Sequence, residues 1–369
     1  MQAVPLLPEN ADSIPSPALV IHWESVEENL RRMIAMVPSP DRLRPHHKTH
    51  KLPQIVSRLA ALGVTKGKCA TIAEAEMAAV AGATDILLAA PLVGPVVDRF
   101  MALMQAFPAV TFTGLADDAG ALEAVNTRAL AAGVRIRVML DIDVGQQRTG
   151  IAAGPEAESL YHRMGALPGI IPAGLQAYDG HLSQTDVGER AAACEAAYAP
   201  VEVMRRRLTE AGCRVPCVVA GGSPTFPMHA RRADVECSPG TTALWDAGYA
   251  AKVPDVPFLC AAVLITRVIS RPGVNRLCLD LGHKSVASEM PHPRAVFPAL
   301  PEAKALLHSE EHLVLETSRA AEFPPGSVLA AIPWHICPTV ALHSFVHVAR
   351  GNRMVETWPV VARTRQLTI

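Results

Sequence analysis

The chain has 369 residues, 34 Lys and Arg against 35 Asp and Glu, a formal net charge of -1 at pH 7, 50% hydrophobic residues and only 4% aromatics. This balance excludes the basic field of a nucleic-acid or anionic-membrane binder, and the apolar content excludes a disordered chain. What remains is a large α/β protein of about two domains, with an aliphatic core and a small metabolite as its partner.

From the amino terminus, residues 1–16 lack a basic stretch followed by an apolar core, so they do not read as a signal peptide. No apolar run reaches the roughly 18 residues that span a bilayer. Eight cysteines are scattered without a CxxC pair and read as free thiols, so a cytoplasmic protein is expected. Strand-like runs at 18–22, 43–46, 85–89, 110–115, 136–143, 175–178 and 217–220 alternate with helical patterns at 25–36, 72–81, 97–106, 116–132 and 191–211. That alternation predicts βα units around a parallel sheet. Their number, and the absence of GxGxxG after the first strand, favours a (β/α)8 barrel over a doubly wound sheet. After residue 256 the texture changes to β-like runs at 258–270, 276–280, 313–316, 328–332 and 345–348, punctuated by Pro and Gly. The expected division is a barrel over 18–255 and a β-rich domain over 256–369, with residues 1–17 packing on the latter.

Four stretches carry candidate chemistry. Lys48 lies in Arg44-Pro45-His46-His47-Lys48-Thr49-His50-Lys51, just past the 43–46 run, where a barrel strand would end and barrel active sites lie. A lysine in such a cationic neighbourhood suits Schiff-base chemistry, and a solvated basic loop is the alternative. In Val144-Gly145-Gln146-Gln147-Arg148-Thr149-Gly150, Arg148 suits a fixed anionic oxygen, or a salt bridge to Asp141 or Asp143. Gly221-Gly222-Ser223-Pro224-Thr225 follows a strand, and Ser238-Pro239-Gly240-Thr241 follows the next; together they fit a phosphate cup, and singly they are ordinary turns. In Trp334-His335-Ile336-Cys337-Pro338, an extended strand would turn His335 and Cys337 to one side as a metal pair, most suited to zinc; a core histidine is the alternative.

Assembled, these stretches resemble the D-threonine aldolase and D-serine dehydratase family, fold-type III pyridoxal-phosphate enzymes with an alanine-racemase-like barrel. The resemblance runs from Pro17-Ala18-Leu19-Val20 to Trp358-Pro359. Its most specific motif is Arg-Pro-His-x-Lys-Thr-His-Lys, met at 44–51 with His47 in the variable place, which implies that Lys48 binds the cofactor. The resemblance further implies Arg148 as partner of the phenolic oxygen, and Tyr178 in Ala177-Tyr178-Asp179-Gly180-His181 as a cofactor-lining residue. Gly221, Gly222, Ser223, Thr225, Gly240 and Thr241 are implied as the phosphate cup, and His335 and Cys337 as ligands of a divalent metal (Zn, Mn or Mg). The family's metal pair is His-x-Asp in its aldolases and His-x-Cys in its dehydratases. Cys337 therefore departs from the aldolase pattern, while the texture of 334–343 and 309–312 resembles bacterial chains grouped with the aldolases.

The resemblance implies a lyase acting on a D-3-hydroxy amino acid, with Lys48, His335 and Cys337 catalytic. D-threonine aldolase, yielding glycine and an aldehyde, is the expected reaction. A dehydratase of the D-serine or D-3-hydroxyaspartate type is the alternative; a racemase and a non-enzymatic pyridoxal-phosphate carrier are further readings on the same barrel. A homodimer is implied as well.

Overall fold

The computed structural model describes residues 7–365 and 368. Residues 1–6 of the leading 1–17 stretch, and 366, 367 and 369 of the expected second domain, lie outside the described residues. The chain forms two compact units: Met1–Met33 with Thr49–Leu52 and Thr241–Arg363, and Ile34–Lys48 with Pro53–Gly240 and Thr364–Ile369. This differs from the expected 18–255 and 256–369 division at its start and near 241.

In the unit built on Pro53–Gly240, seven strands run parallel in the order Lys66–Cys69, Asp85–Pro91, Thr111–Ala116, Ile136–Asp143, Ile170–Ala177, Val218–Ala220 and Val235–Cys237. Residues 43–46 close the barrel. Leu43 bridges Cys237 on one side and His46 bridges Lys68 on the other. The backbone confirms the closure, with Arg44 N donating to Cys237 O at 2.9 Å and Lys68 N to Pro45 O at 2.9 Å. The (β/α)8 expectation therefore holds, but the barrel's first strand is this short segment and not residues 18–22.

The physical reasons are local. Strand Ile136–Asp143 is buried along most of its length, as a parallel strand covered on both faces must be. Leu87, Leu115, Met139, Ala173 and Val219, from five strands, pack together in the barrel interior, and each large side chain so buried contributes roughly 1.5–3 kcal/mol. Crossover helices begin at side-chain caps: Asp118 accepts from Ala121 N at 2.8 Å, and Asp186 from Glu189 N at 2.8 Å. The Asp118 cap also explains why the helix predicted from 116 starts at Ala119. Arg44, 5% exposed, anchors the closing segment sideways. Its Nε donates to Glu236 at 2.7 Å, and its two Nη atoms reach the carboxylate of Asp85 at 2.8 and 3.0 Å.

The other unit holds a mainly antiparallel sheet. Its order is Lys304–His308, Leu313–Glu316, Arg276–Leu279, Ala262–Ser270, Ala18–His22, Phe345–Arg350 and Arg353–Pro359, with Val328–Pro333 also paired to Ala262–Ser270. Ala18–His22 runs antiparallel to Ala262–Ser270 and parallel to Phe345–Arg350. Being buried at all five positions, it reads the same in a barrel or at the centre of this sheet. Helix Trp23–Ala35 follows directly, and buried Asn29 ties it to Leu259 by accepting from its N–H and donating to its carbonyl, both at 2.8 Å.

Candidate active site

At the carboxyl ends of the barrel strands lies a cavity of about 210 Å³, lined by His46, Lys48, Lys68, Asp141, Arg148, Thr149, Gln176 and Tyr178 among others. Lys48 sits in the turn that leaves the 43–46 segment, and its backbone N–H meets His46 Nδ1 at 3.4 Å. Three basic side chains surround the Tyr178 ring: Lys48 Nζ at 5.6 Å, Lys68 Nζ at 5.3 Å and the Arg148 guanidinium carbon at 5.1 Å from its centroid. The arrangement suits an anionic ligand beside an aromatic face, with an amine within reach of it.

Arg44, His46 and His47 of the octapeptide add little charge beside Lys48. Arg44 is consumed by Asp85 and Glu236. Burial drives His46 well below the usual imidazole range and His47 down to about 4, so both are neutral. The His47 ring lies against Gly67, where a Cβ would stand 2.4 Å from its Nε2, which requires glycine in that strand. The companions of Lys48 are Lys68 and Arg148, brought from other strands and loops. Asp141 takes Thr149 Oγ1 and Gln176 Nε2, each at 2.9 Å, while Asp143 accepts the backbone amides of Gly145 and Gln147. Those engagements leave Arg148 over Tyr178 and not in the alternative loop salt bridge.

The two loops expected to form a phosphate cup meet beside Tyr178, though not every donor in them is free to face a ligand. Gly222 needs its missing side chain, since a Cβ would come within 2.8 Å of Gly180 Cα and 3.2 Å of Tyr178 Cε2. Gly221 takes a left-handed φ of 86°. Ser223 Oγ accepts from Gly240 N at 3.1 Å, joining the two loops. Thr225 and the Gly222 amide correct the expectation, because both donate to buried Asp179 Oδ1, at 2.5 and 2.9 Å. A buried carboxylate is the stronger acceptor, so these two groups stand behind the cup and fix its shape. Asp179 Oδ2 meets His229 Nε2 at 2.7 Å, and Cys194 Sγ lies 3.3 Å from that same nitrogen. Among the described residues, Asp179, Cys194 and His229 are the grouping of three donors close enough for one ion. Hydrogen bonds already satisfy the carboxylate, which marks it as a scaffold. Thr241, next in the chain to Gly240, belongs to the other unit, where its hydroxyl is 3.8 Å from Cys337 Sγ.

His335 and Cys337 lie in that other unit, in a setting the sequence misplaced. His335 is extended, as expected, but it caps helix Ile336–Leu342, so Cys337 stands in the first helical turn and not on a strand. Pro338 is tolerated there because the first turn needs no N–H from it. Asp246 makes the start possible: its Oδ2 accepts Ile336 N at 3.0 Å while its Oδ1 caps Tyr249 N at 2.8 Å. Burial pushes the Asp246 carboxyl up to about 6. His335 Nδ1 meets Glu289 Oε1 at 2.5 Å, and Cys337 Sγ lies 3.1 Å from Thr49 Oγ1. A thiol and an imidazole with a carboxylate behind the imidazole are a donor set that fits a divalent ion.

Lys68, Gln176 and Glu289 are not singled out by the sequence, where Asp141 figures only as a salt-bridge partner of Arg148 and Asp179 only within the Tyr178 segment. The one usable signal was Lys68, a lysine inside a strand that must point one side inward. A larger cavity of about 360 Å³ lies in the other unit among Val286, Phe297, Leu300, Leu313 and Leu315, apart from all predicted site residues.

Comparison with known proteins agrees with this geometry. A model of the alanine racemase N-terminal domain matches residues 21–244, and a putative serine dehydratase domain matches 261–349. A D-threonine aldolase of Arthrobacter sp is 32% identical, covering 95% of this chain and 93% of its own. A D-threo-3-hydroxyaspartate dehydratase of Delftia sp. (strain HT23) is 25% identical, covering 94% and 97%. The crystal structure of D-threonine aldolase from Filomicrobium marinum superposes with a TM-score of 0.89 at 30% identity over the full length of both chains.

Proposed function

Since the chain belongs to the D-threonine aldolase and D-serine dehydratase family of pyridoxal-phosphate lyases with an alanine-racemase-like barrel, we propose that it cleaves D-3-hydroxy amino acids with the help of a divalent metal, D-threonine aldolase being the leading reaction. The observation that carries this reading is the amine of Lys48 in a pocket with Arg148 and Tyr178. A glycine cradle stands next to it, of a size a Cβ would fill. In this reading Lys48 would hold the cofactor aldehyde. Arg148 would face the phenolic oxygen. Tyr178 supplies an aromatic wall, and the Gly221–Gly222–Ser223 and Gly240 backbone encloses the phosphate. When bound, pyridoxal phosphate supplies the electron sink for the bond that breaks at Cα.

His335 and Cys337 would hold the metal, which supplies Lewis acidity toward a substrate hydroxyl. Glu289, accepting the Nδ1 proton of His335, would leave Nε2 as the donor atom. The 32% identical aldolase supports the retro-aldol reaction, and the His-x-Cys pair with the 25% identical dehydratase supports loss of water and ammonia as the second reading. A carrier protein is set aside, because both whole-length relatives are lyases.

Incubation of the cofactor- and metal-supplied protein with D-threonine separates the two. Glycine and acetaldehyde in equal amounts support the aldolase, whereas 2-oxobutanoate and ammonia alone refute it. A homodimer and a cytoplasmic location belong to the same proposal, the first from the family resemblance and the second from the eight free cysteines. No helix among the described residues is long and apolar enough to cross a membrane.

A further inference from the structure

Lys68 is 2% exposed, inside the barrel on strand Lys66–Cys69, and lines the same cavity as Lys48 and Arg148. Its Nζ donates to Gln176 Oε1. Gln176 Nε2 donates to Asp141 Oδ1 at 2.9 Å, and Thr149 Oγ1 to Asp141 Oδ2 at 2.9 Å. The amine therefore reaches a carboxylate only through a neutral amide, and among the described residues it forms no ion pair. The charged and titratable groups that bear on it include Lys48, Arg148 and Arg44 as cations, Asp141 as an anion, His46 held neutral, and Tyr178, whose ring centroid is 5.3 Å from its Nζ. A side chain meant only to fill this space would be apolar, since an ammonium buried among other cations opposes folding. An anionic ligand in the cavity reverses that balance.

We propose that Lys68 is a charge-setting, positioning residue of the cofactor site, neutral in the empty pocket and taking up a proton when the anionic cofactor enters. This rests on the reading of the pocket as a pyridoxal-phosphate site. Burial first, then the Lys48 charge, lowers the free amine to about 7, so at pH 8 it is mostly unprotonated before binding. Negative charge from the ligand raises it again, and the proton comes from solvent. The chain through Gln176 and Asp141 to Thr149 links that charge to the loop carrying Arg148, so the two cations settle together around the ligand.

The test is calorimetric binding of pyridoxine 5′-phosphate, which lacks the aldehyde and so leaves Lys48 chemistry out, at pH 8 in two buffers of different ionisation enthalpy. The wild-type protein is expected to take up about one proton per site, by linkage. Lys68→Met is expected to take up correspondingly fewer and to bind about tenfold more weakly, having lost a charge-assisted contact. Lys68→Arg, charged in both states, is expected to bind within about threefold of wild type without that uptake. Lys68→Met binding as tightly as wild type with the same uptake overturns the proposal while leaving the cofactor site intact. Wild type that binds neither this compound nor pyridoxal phosphate overturns the site itself, and this proposal with it.

Discussion

Replacing Asp179 probes how the barrel shapes the Gly221–Thr225 loop proposed to hold phosphate. The carboxylate is 3% exposed and accepts from the Gly222 amide at 2.9 Å, the Thr225 hydroxyl at 2.5 Å and His229 Nε2 at 2.7 Å. Asp179→Ala takes the charged acceptor from these three buried donors, leaving the Gly222 amide only Thr225 Oγ1 at 3.1 Å and His229 Nε2 only Cys194 Sγ at 3.3 Å. At about 1–3 kcal/mol for each donor so affected, the fold should lose about 3–9 kcal/mol. Asp179→Asn keeps one carbonyl oxygen for Gly222 and Thr225 but gives up the charge, so a loss of about 1–2 kcal/mol is expected. The pH dependence has a definite sign. Burial raises the carboxyl, but the bonds from His229, Thr225 and Gly222 outweigh it and hold it below the usual range. The stability it confers is therefore present above the unfolded-state value of about 3.9 and is lost as pH falls through the lower folded-state value. Urea unfolding at pH 7 and through the acid range, paired with a pyridoxal-phosphate absorbance titration, checks both effects. Asp179→Asn should flatten the acid limb and weaken cofactor binding. An Asp179→Ala protein within about 1 kcal/mol of wild type, with unchanged cofactor affinity, would refute the scaffold argument.

Arg44→Met leaves Asp85 without its guanidinium partner and Glu236 with only Lys66, and should cost about 2–4 kcal/mol, read by thermal or urea unfolding. Gly222→Ala forces a Cβ to within 2.8 Å of Gly180 and should impair cofactor affinity more than stability, since the strain lies in a loop; parallel binding and unfolding titrations compare the two. Cys337→Ser and His335→Ala should each reduce bound metal, measured by elemental analysis after dialysis, and abolish turnover. Unfolding free energy should stay within about 1 kcal/mol, because both side chains are only partly buried.

How legible all this is in the sequence depends on how far apart the cooperating residues lie. The 44–51 stretch carries its lysine in a contiguous pattern, and Gly221-Gly222-Ser223 sits directly after a strand, so both stand out. Lys68, Asp141 and Gln176 come from three different strands and look like isolated polar residues until the barrel closes. The closing strand itself is too short for a period and contains Pro45, which lacks the N–H of a regular ladder. Ala18–His22 misleads for the opposite reason: it is apolar throughout and carries no mark of which sheet it joins. Cys337 lands on a helix because Asp246, far away in the chain, caps the Ile336 amide.

The central claim is that Lys48 holds pyridoxal phosphate in the barrel pocket. Borohydride reduction of the cofactor-loaded protein, followed by peptide mapping, tests it directly. The pyridoxyl label should appear on Lys48 and vanish in Lys48→Ala. A label on Lys68, whose Nζ stands as close to the Tyr178 ring, or no label at all, would contradict the account.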